Sequence, residues 1–106
     1  KINCLMVKKC ISQYYKKKIY FKKPNDLLIQ KKKICGILQE KVNKFNNTYL
    51  VVGIGINLIK SPFMKNYPTI HLSQLINKKI PKKKLKIKLK KIFENNLKKF
   101  LRKKYI

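Results

Sequence analysis

Between residues 18 and 58 the apolar residues fall into four short runs, and the polar segments between them are too short to hold a helix. Parallel neighbours in a sheet need a crossover of a dozen or more residues, whereas antiparallel neighbours can be joined by a tight turn. The runs "KIYFK" (18–22), "LLI" (27–29), "KICGILQEKV" (33–42) and "TYLVVGIGINL" (48–58) are therefore expected to be antiparallel strands, separated by "PND", "QKKK" and "NKFNN". This spacing excludes a doubly wound dinucleotide fold, and "GIGIN" is not a GxGxxG opening a helix.

Helices are expected on either side of the strands. Residues 3–17 contain no Gly or Pro, with Asn3 as a cap, and Val7, Cys10, Ile11, Tyr14 and Tyr15 recur at three-and-four spacing, which sets them on one helical face. Residues 59–72 hold two prolines and no period, so a loop is expected there, followed by a short helical segment at "LSQLINKK". From Pro81, a helix start, Leu85, Leu89, Ile92, Phe93, Leu97, Phe100 and Leu101 form a second apolar stripe, although the alternation in "LKIKL" also admits a strand. The order α-β-β-β-β-α predicts an α+β fold with a mostly antiparallel or mixed sheet flanked by helices, and 106 residues set the limit at one small domain or part of one.

The charge is less informative than its size suggests. Lys and Arg total 29 against three acids, for a net charge of +26. Such an excess ordinarily points to a polyanion partner. Here Arg102 is the only arginine, and arginine is the residue that grips phosphates and guanine edges bidentately. Lys, Ile and Asn are abundant together, as an AT-rich coding sequence produces, so the expectation is against nucleic acid as the partner. Cys4, Cys10 and Cys35 form no CxxC pair and are odd in number, which fits buried thiols in a reducing cytoplasm. No apolar run reaches membrane-spanning length, so no membrane partner is expected. The chain begins at Lys1 instead of Met and reads as a fragment of a longer protein.

Candidate chemistry sits on two strands. In "VVGIGIN" the period of two sets Val52, Ile54 and Ile56 on one face and Val51, Gly53, Gly55 and Asn57 on the other. One face is core and the other lacks side chains, as glycines allow where a ligand or another backbone approaches closely. Asn57 could present its amide to a phosphate, a metal or the metal's water. In the structural alternative the glycines admit a packed helix and Asn57 caps a turn. "KICGILQE" repeats the pattern with Gly36, and Lys33 stands at its start among three consecutive lysines, of which only one, whichever parity faces inward, is expected to reach a pocket on the sheet. A lysine there supplies a compact cation for a carboxylate or phosphate, although most lysines are simply solvated. Asn25 and Asp26 follow Pro24 as ordinary turn formers.

Taken in order, "KKPNDLLIQKKKICGILQE", a short hairpin, "YLVVGIGINL", a loop with "YPTIHLSQL" and a final amphipathic helix resemble the second half of the catalytic domain of biotin protein ligases. The resemblance runs from about residue 3 to about residue 101 and rests on the order of four segments. It implies a fold similar to class II aminoacyl-tRNA synthetases and lipoate ligases. It implies activation of biotin by Mg2+ and ATP to biotinyl-5'-AMP, and transfer to a lysine of the biotin carboxyl carrier protein of acetyl-CoA carboxylase. In the family the lysine opening the strand contacts the adenylate, which is Lys33 here. By the same resemblance Gly36 and Ile37 line the biotin side, Asn25 and Asp26 shape the adenylate pocket, and Gly53, Gly55 and Asn57 lie against the nucleotide and metal.

Two departures accompany the resemblance. The family usually carries tryptophan before Pro-Asn-Asp, where this chain has Lys23. The glycine- and arginine-rich loop that closes over biotin lies upstream in the family, as the C-terminal β-barrel lies downstream, and neither is among these residues. A complementing N-terminal fragment or a homodimer is expected to be required. The alternatives are an inactive ligase remnant, a lipoate ligase relative, and a small basic RNA-binding or ribosome-associated protein.

Overall fold

The structure, a computed structural model, describes residues 2–60 and 67–105, with side chains as far as residue 96. Its elements are α1 (Ile2–Ile11), β1 (Tyr20–Lys22), β2 (Asp26–Ile29), β3 (Lys32–Lys44), β4 (Asn47–Ile56), α2 (Leu72–Ile76) and α3 (Lys82–Tyr105). The four strands form one sheet in the order β1-β2-β3-β4, every neighbouring pair antiparallel. The expected meander is present.

The two main hairpins close more tightly than the polar spacers suggest. Ile29 pairs with Lys32 and Lys44 with Asn47, so each loop has only two residues. Gln30 and Lys31 in one, and Phe45 and Asn46 in the other, all have positive φ. That is the twist-matched turn that two-residue hairpins prefer, here made without glycine. The three glycines lie in strands and none has a positive φ, so they contribute missing side chains and not backbone freedom.

One face of the sheet is covered. Helix α1 lies against β2 and α3. Val7, Cys10, Ile11 and Tyr15 of the predicted stripe are buried with Ile29, Ile34, Cys35 and Ile37 of the sheet. Helix α1 stops at Ile11, and Tyr15 reaches the core from the following turn, where Tyr14 and Tyr15 both donate backbone hydrogen bonds to the Ile11 carbonyl. Asn3, expected as a cap, falls within the first helical turn.

The ambiguous "LKIKL" is helical. Leu85 is buried, Leu89 packs on the core and Ile87 is exposed, the pattern of an i,i+4 face and not of strand alternation. Leu85 N–H donates to Pro81 O at 3.2 Å, starting α3 where proline was expected to start it. The side chains of Leu97, Phe100 and Leu101, and residues 61–66 of the expected loop, lie outside what is described. No helix among the described residues is long and apolar enough to cross a membrane.

Candidate functional site

The uncovered face of the sheet is where the glycines lie. Asp26 pairs with Gly36 and Gly36 with Gly55, so these three form one row across β2, β3 and β4. Gly53 lies one row further along β4, opposite Leu38. A Cβ placed on Gly55 would meet nothing nearer than Gly36 O at 3.8 Å, and one on Gly53 nothing nearer than Leu38 at 3.9 Å. Among the described residues no helix rests on either glycine. The bare face is open, as alternation predicted, and Val52, Ile54 and Ile56 pack on the core from the other side.

Lys33 joins this face through a feature that period two does not contain. Leu27 pairs with Cys35 but Leu28 pairs with Lys33, so β3 carries one residue, Ile34, more than β2 across that step. Strict alternation would have put Lys33 on the same side as Cys35 and Ile37, which are buried in the core. The bulge turns Ile34 and Cys35 both inward and sends Lys33 to the side of Gly36, which is how bulges re-aim side chains. Lys31 is in the turn and Lys32 is exposed, so Lys33 is the member of the lysine run that reaches the row.

The side chain of Lys33 folds back across Gly36. An added Cβ on Gly36 would lie 3.1 Å from Lys33 Cε and 3.2 Å from Nζ. The ammonium is 3.4 Å from Asp26 Oδ1 and 5.1 Å from the centre of the Tyr67 ring. The missing side chain at Gly36 therefore makes room first for the lysine.

Residues 67–70 complete this corner. Lys33 N–H donates to Pro68 O at 2.9 Å and Ile70 N–H donates to Lys33 O at 3.0 Å, with Lys33 and Thr69 forming a parallel bridge. The region expected to be loop thus adds a short parallel pairing where β4 has ended. Asn57 stabilises the junction, its Nδ2 donating to Lys33 O at 3.2 Å and to Ile70 O at 3.1 Å. Its backbone N–H bonds Ile34 O and its carbonyl accepts from Leu72 N–H, both at 2.9 Å.

These contacts sort the candidates. Asp26, Lys33, Gly36 and Gly55 come together, with Gly53 adjacent along β4. Asn25 supports them through its carbonyl, which accepts Ile37 N–H at 2.9 Å and ties the Pro-Asn-Asp turn to β3. Ile37, expected to line the biotin side beside Gly36, points the other way: it is 2% exposed in the core, because neighbouring residues of a strand face opposite sides. Asn57 has both amide hydrogens committed to carbonyls, leaving only Oδ1 for a cation. Among the described residues no three His, Cys, Asp or Glu side chains converge as a metal site. Mg2+ is usually held by one or two carboxylates together with substrate phosphates, so with the Asp26 carboxylate and Asn57 Oδ1 as the oxygen donors these candidates leave, a Mg2+ here would take its remaining ligands from phosphates and water.

The thiols take no part. Burial pushes Cys35 up to about 12, assisted by Cys4 and Asp26 and opposed by Lys33. Burial also raises Cys4 and Cys10. All three are free, buried and protonated near neutral pH, so none is an activated nucleophile. The chemistry that this corner can support is electrostatic: one cation beside a surface that a planar or phosphorylated molecule can approach down to the backbone. Tyr67 was missed in the sequence because 34 positions separate it from Lys33 and nothing in its local pattern distinguishes it from a core or surface ring.

Residues 2–57 match the sequence model of the biotin/lipoate A/B protein ligase family. The chain belongs to that family. It is similar to the biotin protein ligase from Aquifex aeolicus in complex with biotin and ATP, with 29% identity and a TM-score of 0.75 over 93% of this chain and 42% of that one. The biotin protein ligase from Leishmania major in complex with biotinyl-5-AMP has the same fold at 19% identity and a TM-score of 0.70, covering 86% of this chain and 43% of that one. So does LipL1 of P. falciparum in complex with lipoate, at 19% identity and a TM-score of 0.63 over 89% of this chain and 30% of that one. The chain spans less than half the length of each. No curated protein sequence matches it significantly.

Proposed function

We propose that the chain is part of a biotin protein ligase, within whose catalytic domain residues 1–106 form the portion carrying the Lys33 corner. The reaction begins when the biotin carboxylate attacks the α-phosphorus of ATP, forming biotinyl-5'-AMP and releasing pyrophosphate. A lysine amine of the biotin carboxyl carrier protein then attacks the acyl carbon, an amide forms and AMP leaves. Neither step needs a side-chain nucleophile from the ligase, in keeping with the inert thiols. The observation that carries the reading is the row Asp26–Gly36–Gly55 with the Lys33 ammonium above it, on a face where no helix among the described residues lies against the glycines.

In this reading Lys33 offsets the negative charge of the acyl phosphate, and Gly36 gives it room to do so. Gly53 and Gly55 let the nucleotide approach the sheet, and Asn25 and Asp26 shape the adjoining turn. ATP enters as its Mg2+ complex, the metal carried by the phosphates. The carrier protein, a complementing N-terminal segment or second copy, and a cytoplasmic setting belong to the same proposal. Family membership covers lipoate as well as biotin, so lipoate is the second reading, and competition between the two acids for the site separates them.

The test is biotin-dependent labelling of a carrier domain by the full-length protein, with wild type compared with Lys33→Ala. Loss of most labelling in the variant, with unchanged melting temperature, supports the role of Lys33. Equal labelling by both removes it. A wild-type protein that labels no carrier, and whose melting temperature does not move with biotin plus ATP, overturns the ligase reading itself.

A further inference from the structure

Lys33 has a long, flexible side chain, and a free lysine at the edge of an open sheet would sample many rotamers. The contacts around it restrict that freedom from three sides. Gly36 leaves a notch in which Cε and Nζ lie within 3.1–3.2 Å of where a Cβ would be. Asp26 Oδ1 stands 3.4 Å away on one side. The Tyr67 ring stands on another, 5.1 Å from the ammonium.

We propose that Tyr67 is a positioning residue for Lys33, its ring fixing the ammonium over the Gly36 notch so that the charge is already in place when the acyl phosphate arrives. The ring is not a chance neighbour. The residue after it, Pro68, accepts the hydrogen bond of Lys33's own N–H, and Ile70 donates to Lys33's own carbonyl, so Tyr67 is registered to the residue it holds. From the end of β4, Asn57 bridges the carbonyls of Lys33 and Ile70 and locks that register. An aromatic face attracts an ammonium, and more strongly where water is partly excluded. The Lys33 side chain is 25% exposed. Asp26 pairs with the ammonium on one side. The ring attracts it from another without adding a second negative charge. Tyr67 also puts an aromatic group beside a site whose Pro-Asn-Asp turn is preceded by Lys23.

This inference rests on the ligase reading for the identity of the anion, but not for the placement of the lysine, and the experiment separates the two. In the full-length protein with 13C-labelled lysine, the Lys33 ε-protons should resonate upfield of the other lysines through the Tyr67 ring current, the signal being assigned by its disappearance in Lys33→Met. Tyr67→Phe should keep the shift. Tyr67→Leu should abolish it, and so should Gly36→Ala by displacing the lysine. The probe for function is a biotinyl-adenylate whose acyl phosphate is replaced by a non-hydrolysable sulfamate. Tyr67→Phe should bind it as wild type does, and Tyr67→Leu should bind about five- to thirtyfold more weakly. In a Lys33→Met background, Tyr67→Leu should cost nothing further. A Lys33 signal among the bulk lysines in the wild type, or an equal loss from Tyr67→Leu with and without Lys33, overturns the proposal while leaving the ligase reading intact. Absence of any binding by wild type alongside an intact ring-current shift overturns the ligase reading, and the role of Tyr67 in catalysis with it.

Discussion

The two faces of strands β3 and β4 are built in opposite ways at the same rows. Cys35 and Ile37 are buried, and Ile54 and Ile56 pack against the same core. Their immediate neighbours Gly36 and Gly55 face outward, paired with each other, and among the described residues the side chains nearest Gly36 are the folded Lys33 and the Asp26 carboxylate. One ribbon of backbone thus serves as the floor of the core and as the floor of the candidate site. The lesson is a division of labour. The covered face supplies the stability that allows the other to carry three glycines, which weaken strands and bury nothing.

The contrast can be broken most forcefully from the core side. Ile34→Ala, at a fully buried position in the bulge, is expected to cost about 2–5 kcal/mol in urea unfolding through the cavity it leaves. It should also disturb Lys33, because the bulge that aims the lysine loses its inward anchor. A loss below about 1 kcal/mol would mean that the bulge is not held by core packing.

A smaller effect belongs to Cys35. The unfolded thiol ionises near its ordinary value of 9.0, whereas the folded one keeps its proton until about 12. Between those values the unfolded state binds fewer protons, so the stability that the buried thiol confers below pH 9 falls as pH rises, by about 1.4 kcal/mol per unit at most. Chemical denaturation of wild type and Cys35→Ala across about pH 8–12, which spans that window, should show a steeper alkaline decline in wild type. Parallel curves would remove the thiol from the account.

The smallest change in stability should come from the open face. Gly55→Ala meets only ordinary contact at 3.8 Å, and alanine loses less chain entropy than glycine on folding, so stability should stay within about 1 kcal/mol of wild type or rise. Binding of biotin and ATP should nevertheless weaken, because the methyl group occupies the surface the ligand would approach. Undiminished binding would separate the glycine row from the ligand.

Much of this arrangement was legible in the residues. Period two in "VVGIGIN" separated the core face from the glycine face, and the absence of room for a crossover helix required the antiparallel meander. The order of segments was enough to anticipate the ligase family. Other features were not legible, and for specific reasons. Ile37 was grouped with Gly36 by proximity in sequence, although adjacent strand residues point apart. Asn57 offered an amide that could serve a ligand or a backbone, and only the positions of the Lys33 and Ile70 carbonyls show that both its hydrogens go to the backbone.

What the sequence determined by itself were local quantities: which residues alternate, where turns must fall, and which strand positions lack side chains. The direction of Lys33 was decided by tertiary structure, because a bulge is a mismatch between two paired strands and belongs to neither strand alone. The meeting of Lys33 with Tyr67 was likewise decided there. Their contact depends on residues 67–70 returning to pair where β4 ends, and no periodicity within either segment encodes that return.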